Sequence, residues 1–133
     1  MLPKHRLALS TLVVNDYDEA IRFYVDKMGF TLIQDTVLGH GKRWVVVSPS
    51  PSDQSGLLLA RASDTLQQQR VGNQTGGRVS FFLTTTDFEA SYNLLRERGV
   101  RFCEQPREEL YGTVAVFLDI YDNRWDLIQP SST

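Results

Sequence analysis

The strongest constraint on this chain is that it repeats itself. Glu19, Ala20 and Gly29 recur as Glu89, Ala90 and Gly99, each pair 70 residues apart in a chain of 133. The grammar around those positions is the same twice. Residues 7–14 are a β-forming run that ends at Asn15-Asp16. Asp16-Tyr17-Asp18-Glu19 then has the form of a capping box, in which a short polar side chain accepts from the free amide three residues on. Ala20, Ile21, Phe23, Tyr24 and Met28 are spaced to make one apolar helix face. Gly29 stops that helix and Phe30 opens a strand. In the second half residues 79–83 are the β run and Thr86-Asp87-Phe88-Glu89 the capping box. Ala90, Leu94 and Leu95 supply the helix face, and Gly99 the stop. Solenoid units run about 20–50 residues, so a period of half the chain reads as a duplicated βαβββ module.

The other strands are shorter. In the first half they are expected at residues 31–38, 43–48 and 56–61, with a turn at Pro49-Ser50-Pro51-Ser52. In the second they are expected at 100–104, 113–118 and 124–128, with Tyr121-Asp122-Asn123 as the last hairpin turn. The tail from Pro130 onward is expected to fray. The fold class is therefore α+β, two tandem βαβββ modules in a single domain over 1–133. Module one covers about 5–62, a polar linker with room for a turn of helix about 63–77, and module two about 78–129.

Composition narrows the function. With 14 basic and 16 acidic side chains the net charge is −2, which argues against a nucleic-acid protein that works by bulk charge. No apolar run approaches the roughly 18 residues of a membrane span. The basic start, Met1 to Arg6, is followed by a run broken at Ser10 and Thr11, so no signal peptide is read and a cytoplasmic location is expected. The single cysteine, Cys103, excludes an intrachain disulfide and a multi-cysteine metal site, and is read as buried and inert.

Two stretches resemble a known family. Val14-Asn15-Asp16-Tyr17-Asp18-Glu19-Ala20-Ile21-Arg22-Phe23-Tyr24 with Met28-Gly29-Phe30 resembles the opening of the vicinal oxygen chelate superfamily, which holds the glyoxalases, bleomycin-resistance proteins and extradiol dioxygenases. Phe117-Leu118-Asp119-Ile120-Tyr121-Asp122-Asn123-Arg124-Trp125-Asp126-Leu127-Ile128 resembles its closing hairpin, with Ile120 where the family has Pro and Asp122 where it has Gly. The resemblance covers the whole chain. It implies two modules whose sheets form a cleft, a homodimer, and in many members a divalent metal held by four side chains. Those four positions fall here on Leu9, near Leu58, on Ser80 and on Asp126. One carboxylate is not a metal site, so no cofactor is expected, although a divalent metal stays open.

Several residues are candidates for the cleft. Strand alternation sets Asp126 opposite its neighbours Trp125 and Leu127, on the face that the resemblance turns toward the cleft. There a carboxyl can act as acid or base or receive a ligand donor, whereas the plainer alternative is an ion pair with an arginine across the sheet. Arg43, Arg61, Arg78 and Arg124 lie in or beside strands, where a guanidinium suits an anionic partner. Trp44, Phe81, Phe82, Tyr111 and Trp125 are candidate aromatic walls, and core packing is their alternative. Tyr111-Gly112 precedes a strand and is a candidate gate. His5 and His40 lie in the terminus and in a turn, off the ligand positions. Gln74-Thr75-Gly76-Gly77 lacks the surroundings of a phosphate loop.

The expected ligand-binding set is Trp44, Arg61, Arg78, Phe82, Tyr111, Trp125 and Asp126, with Asp126 and Tyr111 as catalytic candidates. The expected function is binding of a small organic molecule without the family metal, by a homodimer with no nucleic-acid or membrane partner. The alternatives are a metal-dependent lyase, isomerase or dioxygenase on a vicinal-oxygen substrate, and a metal-free enzyme using Asp126 or Tyr111 as acid or base.

Overall fold

Two mixed sheets, one in each half, carry the chain. The computed structural model describes residues 1–52 and 55–132. The chain divides into two compact units, Met1–Gln68 and Gln69–Thr133. In the first, β1 (Leu9–Val14), β2 (Thr31–Gly39), β3 (Lys42–Ser48) and β4 (Gly56–Arg61) form a sheet in the order β1-β4-β3-β2. In the second, β5 (Val79–Thr84), β6 (Arg101–Phe102), β7 (Arg107–Glu109), β8 (Gly112–Leu118) and β9 (Arg124–Pro130) form a sheet in the order β5-β9-β8-β6, with β7 also paired to β8. β1 runs parallel to β4 and β5 parallel to β9, while the remaining pairs are antiparallel. The first strand of each module thus lies beside its last, and the α+β duplication is real.

The helices are α1 (Tyr17–Ile21), α2 (Thr65–Arg70) and α3 (Phe88–Glu97). α1 continues as a wider π-helical turn over Arg22–Lys27. α2 lies in the expected linker, and the boundary between the units falls within it. Among the described residues no helix is long and apolar enough to cross a membrane.

The repeat is not uniform in register. Asp16 caps α1 by accepting from the Glu19 amide at 2.8 Å, and Asp87 caps α3 by accepting from the Ala90 amide at 3.1 Å. The caps are 71 residues apart, whereas Gly29 and Gly99 are 70 apart. The π-helical turn absorbs the difference, as one inserted residue does in an α-helix. Accordingly the Phe30 amide donates to the Tyr24 carbonyl, six residues back, and the Val100 amide to the Leu95 carbonyl, five back. This corrects the expected helix face. Ala90 and Leu94 are exposed, and Phe88 and Leu95 are buried, in step with Tyr17 and Tyr24 one module earlier. It also corrects the second capping box, because Ala90 rather than an acid occupies the third helical position.

α1 and α3 each pack on one face of their own sheet, whereas α2 buries none of its residues. In the first unit Tyr17, Ala20, Phe23 and Tyr24 are buried with Leu12, Val45 and Leu59. In the second, rings run in contact from Phe88 through Tyr92, Phe102, Phe117 and Trp125 to Phe81, with centroids 4.6 to 5.8 Å apart. Burial of such rings supplies much of the core energy. β7 was not expected, since three charged residues show no apolar alternation; it exists because Arg107–Glu109 complete a ladder on β8. β9 runs through Pro130, beyond the expected end, and the Ser131 amide donates to the Tyr111 carbonyl at 2.9 Å. Of the tail expected to fray, Thr133 lies outside the described residues.

Candidate functional site

Strand alternation leaves each sheet a second face, opposite its helix. In the first unit this face carries Leu9, Trp44, Val46, Ser48 and Gly56, which with Ile33 and Gln34 line a concavity of about 280 Å³. Trp44 is 37 % exposed there, the indole open to a visitor. The polar groups on the rim are Arg6 and the Ser48 and Ser55 region, where the Ser48 hydroxyl donates to the Ser55 carbonyl at 2.9 Å.

In the second unit the corresponding face carries Phe82, Asp126 and Val116, matched residue by residue across the β5–β9 and β8–β9 ladders. Asp126 is 7 % exposed, and its Oδ1 has no hydrogen-bond partner among the described residues. Burial pushes its pKa above the ordinary 3.8; the Arg107 charge opposes this and the Glu104 charge adds to it. No ion pair joins Asp126 to an arginine among the described residues. Arg107 is instead held by Glu104 at 3.1 Å and Glu109 at 2.6 Å, and by a hydrogen bond with Tyr111, all of which keep it firmly protonated. Glu104 also accepts from the Val116 amide at 2.8 Å, so a carboxylate caps a gap in the ladder. Tyr111 sits at the β7–β8 turn, 52 % exposed. Gly112 follows with φ +147°, and a Cβ there would lie 2.2 Å from the Gln129 carbonyl oxygen. Only glycine lets β8 start this close to β9.

The structure thus sets Phe82 beside Asp126 on the second sheet, holds Tyr111 to Arg107 at the β7–β8 turn, and puts Trp44 in the concavity of the first sheet. The other candidates lie elsewhere. Trp125 is 3 % exposed on the helix side, in contact with Phe117 and Phe81. The Arg61 guanidinium lies over the Tyr17 ring at 5.6 Å, as does that of Arg43 at 5.1 Å. Arg43 is bound to Asp35 at 2.7 Å and Asp18 at 3.0 Å. Arg78 and Arg124 line a hollow of about 70 Å³ beside Gly72, Gly77 and Ser80. His40 has φ +55° in the β2–β3 turn, and His5 is exposed in the arm before β1. Cys103 is exposed, not buried as expected, because the chain bends away directly after the two residues of β6.

Sequence reasoning missed Glu104 and Arg107. They stand in a charged stretch, Glu104-Gln105-Pro106-Arg107-Glu108-Glu109, that shows neither periodicity nor a motif. The pairing of β7 with β8 brings Arg107 toward Asp126, and the Val116 amide, opposite Asp126, holds Glu104 there.

Residues 6–127 match the family model of the Glyoxalase/Bleomycin resistance protein/Dioxygenase superfamily. The chain belongs to this superfamily. It is 54 % identical over 127 residues to an uncharacterized protein of Shewanella frigidimarina, covering 95 % of this chain and 94 % of that protein. Among solved structures it resembles UcmS2 at a TM-score of 0.83, with 28 % identity over 95 % of this chain and 98 % of that one. It resembles TnmS3, an antibiotic binding protein from Streptomyces sp. CB03234, at a TM-score of 0.79, with 30 % identity over 98 % of this chain and all (100 %) of that one.

Superfamily metal ligands occupy four strand positions, and the ladders fix their counterparts here. Leu9 and Ser80 each stand seven residues before a helix cap. Two residues on from each, Thr11 pairs with Leu58 and Phe82 pairs with Asp126, so Leu58 is the first-module counterpart of Asp126. The donor set is therefore two leucines, a hydroxyl and one carboxylate. Leucine offers no lone pair, and transition metals need several imidazole, thiolate or carboxylate donors at one point. No group of three His, Cys, Asp or Glu is placed to hold a metal among the described residues. These residues do not fit the superfamily metal.

Proposed function

We propose that this chain binds a small organic molecule on the first unit's sheet face, opposite α1, and does so without a metal. The observation that carries the reading is the concavity of about 280 Å³ in which Trp44 stands open beside Leu9, Ile33 and Val46. Small-molecule sites are concave and mostly apolar, with a few polar groups that fix orientation. Leu9 stands at one of the superfamily's ligand positions, so apolar lining stands where a metal-dependent relative would place a donor. The likeness to TnmS3, which binds an antibiotic, supports the same reading. The proposal extends to a cytoplasmic homodimer with no nucleic-acid or membrane partner.

The test is calorimetric titration of a panel of flat drugs and metabolites, with and without a chelator. A ligand at a hundred times its Kd stabilises the folded state by about 2.7 kcal/mol, so thermal shift serves as the first screen. The reading predicts binding that ignores the chelator and is lost in Trp44→Ala. Binding that requires an added divalent ion contradicts it.

A second reading has one observation behind it, the buried unpartnered Asp126 oxygen with its raised pKa. Such a carboxyl keeps its proton to higher pH than a free one and can act as acid or base. Turnover that ignores chelator and vanishes in Asp126→Asn decides for this metal-free enzyme over a binding protein.

A further inference from the structure

The Asp126 face carries more acid than base. Glu104 and Glu109 hold one guanidinium, Arg107, whose charge reaches Asp126 without pairing with it, and the Glu104 charge reaches Asp126 as well. Asp126 is 7 % exposed, with an Oδ1 that receives no hydrogen bond among the described residues. A buried acceptor without a donor is costly, and a second anion near Glu104 adds like-charge repulsion. One kind of visitor relieves both, a positively charged N–H donor. Beside Asp126 on the ladder stands Phe82, 64 % exposed, and an open ring face attracts a cation and stacks with a flat ring. The geometry points to the ligand class: a flat organic cation whose protonated amine is received by Asp126 and whose rings lie against Phe82. This rests on the small-molecule reading and goes beyond it by placing a second site on the second unit's own sheet face, apart from the Trp44 concavity, and by naming the charge that it takes. The carboxylate that in a metal-dependent relative serves a metal serves here the ligand's own cation.

A matched pair of probes tests it. Aminoacridine is a cation at neutral pH, and acridone has the same tricyclic outline without the charge. Binding of both is measured by fluorescence on the full chain and on Asp126→Asn, which keeps the shape and removes the charge. The expected result is an aminoacridine preference of about tenfold in the parent chain, the size of a single charge-assisted contact, lost in Asp126→Asn while acridone binding is retained. Should Asp126→Asn fail to fold, Phe82→Leu at its exposed position must lower the preference by about threefold. Equal affinity for the two probes, or a preference that survives the substitution, overturns the inference and leaves the small-molecule reading standing. Binding of neither probe, nor of any member of the wider panel, overturns both.

Discussion

Phe82 and Asp126 are partners across the parallel β5–β9 ladder, yet the ring is 64 % exposed and the carboxyl 7 %. Folding ordinarily does the reverse, placing the aromatic inside and the acid in water. An arrangement inverted in this way costs stability, and sites of recognition are where such costs are retained.

That cost has a sign. The folded pKa of Asp126 is raised, so the folded state binds its proton more tightly than the unfolded chain does. The penalty is absent below the ordinary value of 3.8, grows as pH rises, and is complete above the folded pKa. Asp126→Asn is therefore expected to melt above the parent at neutral pH, with the gap closing as pH falls toward 3.8. Thermal melts of both proteins across that range check it. A variant less stable than the parent at neutral pH contradicts the account.

The Arg43 pair behaves oppositely. The hydrogen bond from Arg43 holds the Asp35 carboxyl below its ordinary 3.8, so the pair stabilises above that pH and is lost as pH falls through the lowered value. Both side chains are partly in water, so the pair contributes no more than about 1 kcal/mol. Asp35→Asn is expected to cost that much near neutral pH and nothing in strong acid. Denaturant titrations at the two pH values check the difference.

The caps give a third expectation. Asp16→Ala and Asp87→Ala each remove an acceptor from a helix start and should each cost about 1 kcal/mol. Glu89→Ala should cost far less than either, because the amide that Asp87 serves is that of Ala90. Equal losses at Glu89 and Asp87 would restore the capping box that the sequence suggests.

Much of the fold was legible because its signals are local. Asp16, Gly29, Asp87 and Gly99 act through their own backbone neighbourhoods, and β-branched runs announce strands. The register of the repeat was not legible from Arg22 to Lys27 themselves, because a π-helical turn leaves no mark in their order; the hydrogen bonds from Met28 to Phe23 and from Phe30 to Tyr24, with the two caps, reveal the added residue. The same limit applied to the site. Alternation alone placed Asp126 across from Trp125. The company it keeps depends on tertiary pairing, Arg107 through the three-residue strand β7 and Glu104 through the Val116 amide, and Trp125 takes its side of the sheet among Phe81 and Phe117. Arg43 and Arg61 looked available for a ligand only until Tyr17, Asp18 and Asp35 were seen around them.

The most direct test of small-molecule binding uses the two tryptophans. Trp125 is buried at 3 % exposure and Trp44 is open at 37 %. In Trp125→Phe the emission therefore comes from Trp44 alone, on the wall of the concavity. A ligand found in the thermal screen, added in the presence of chelator, is expected to quench or blue-shift that emission along the same curve as its binding heat. A ligand that binds with full heat and leaves Trp44 emission unchanged contradicts the proposal.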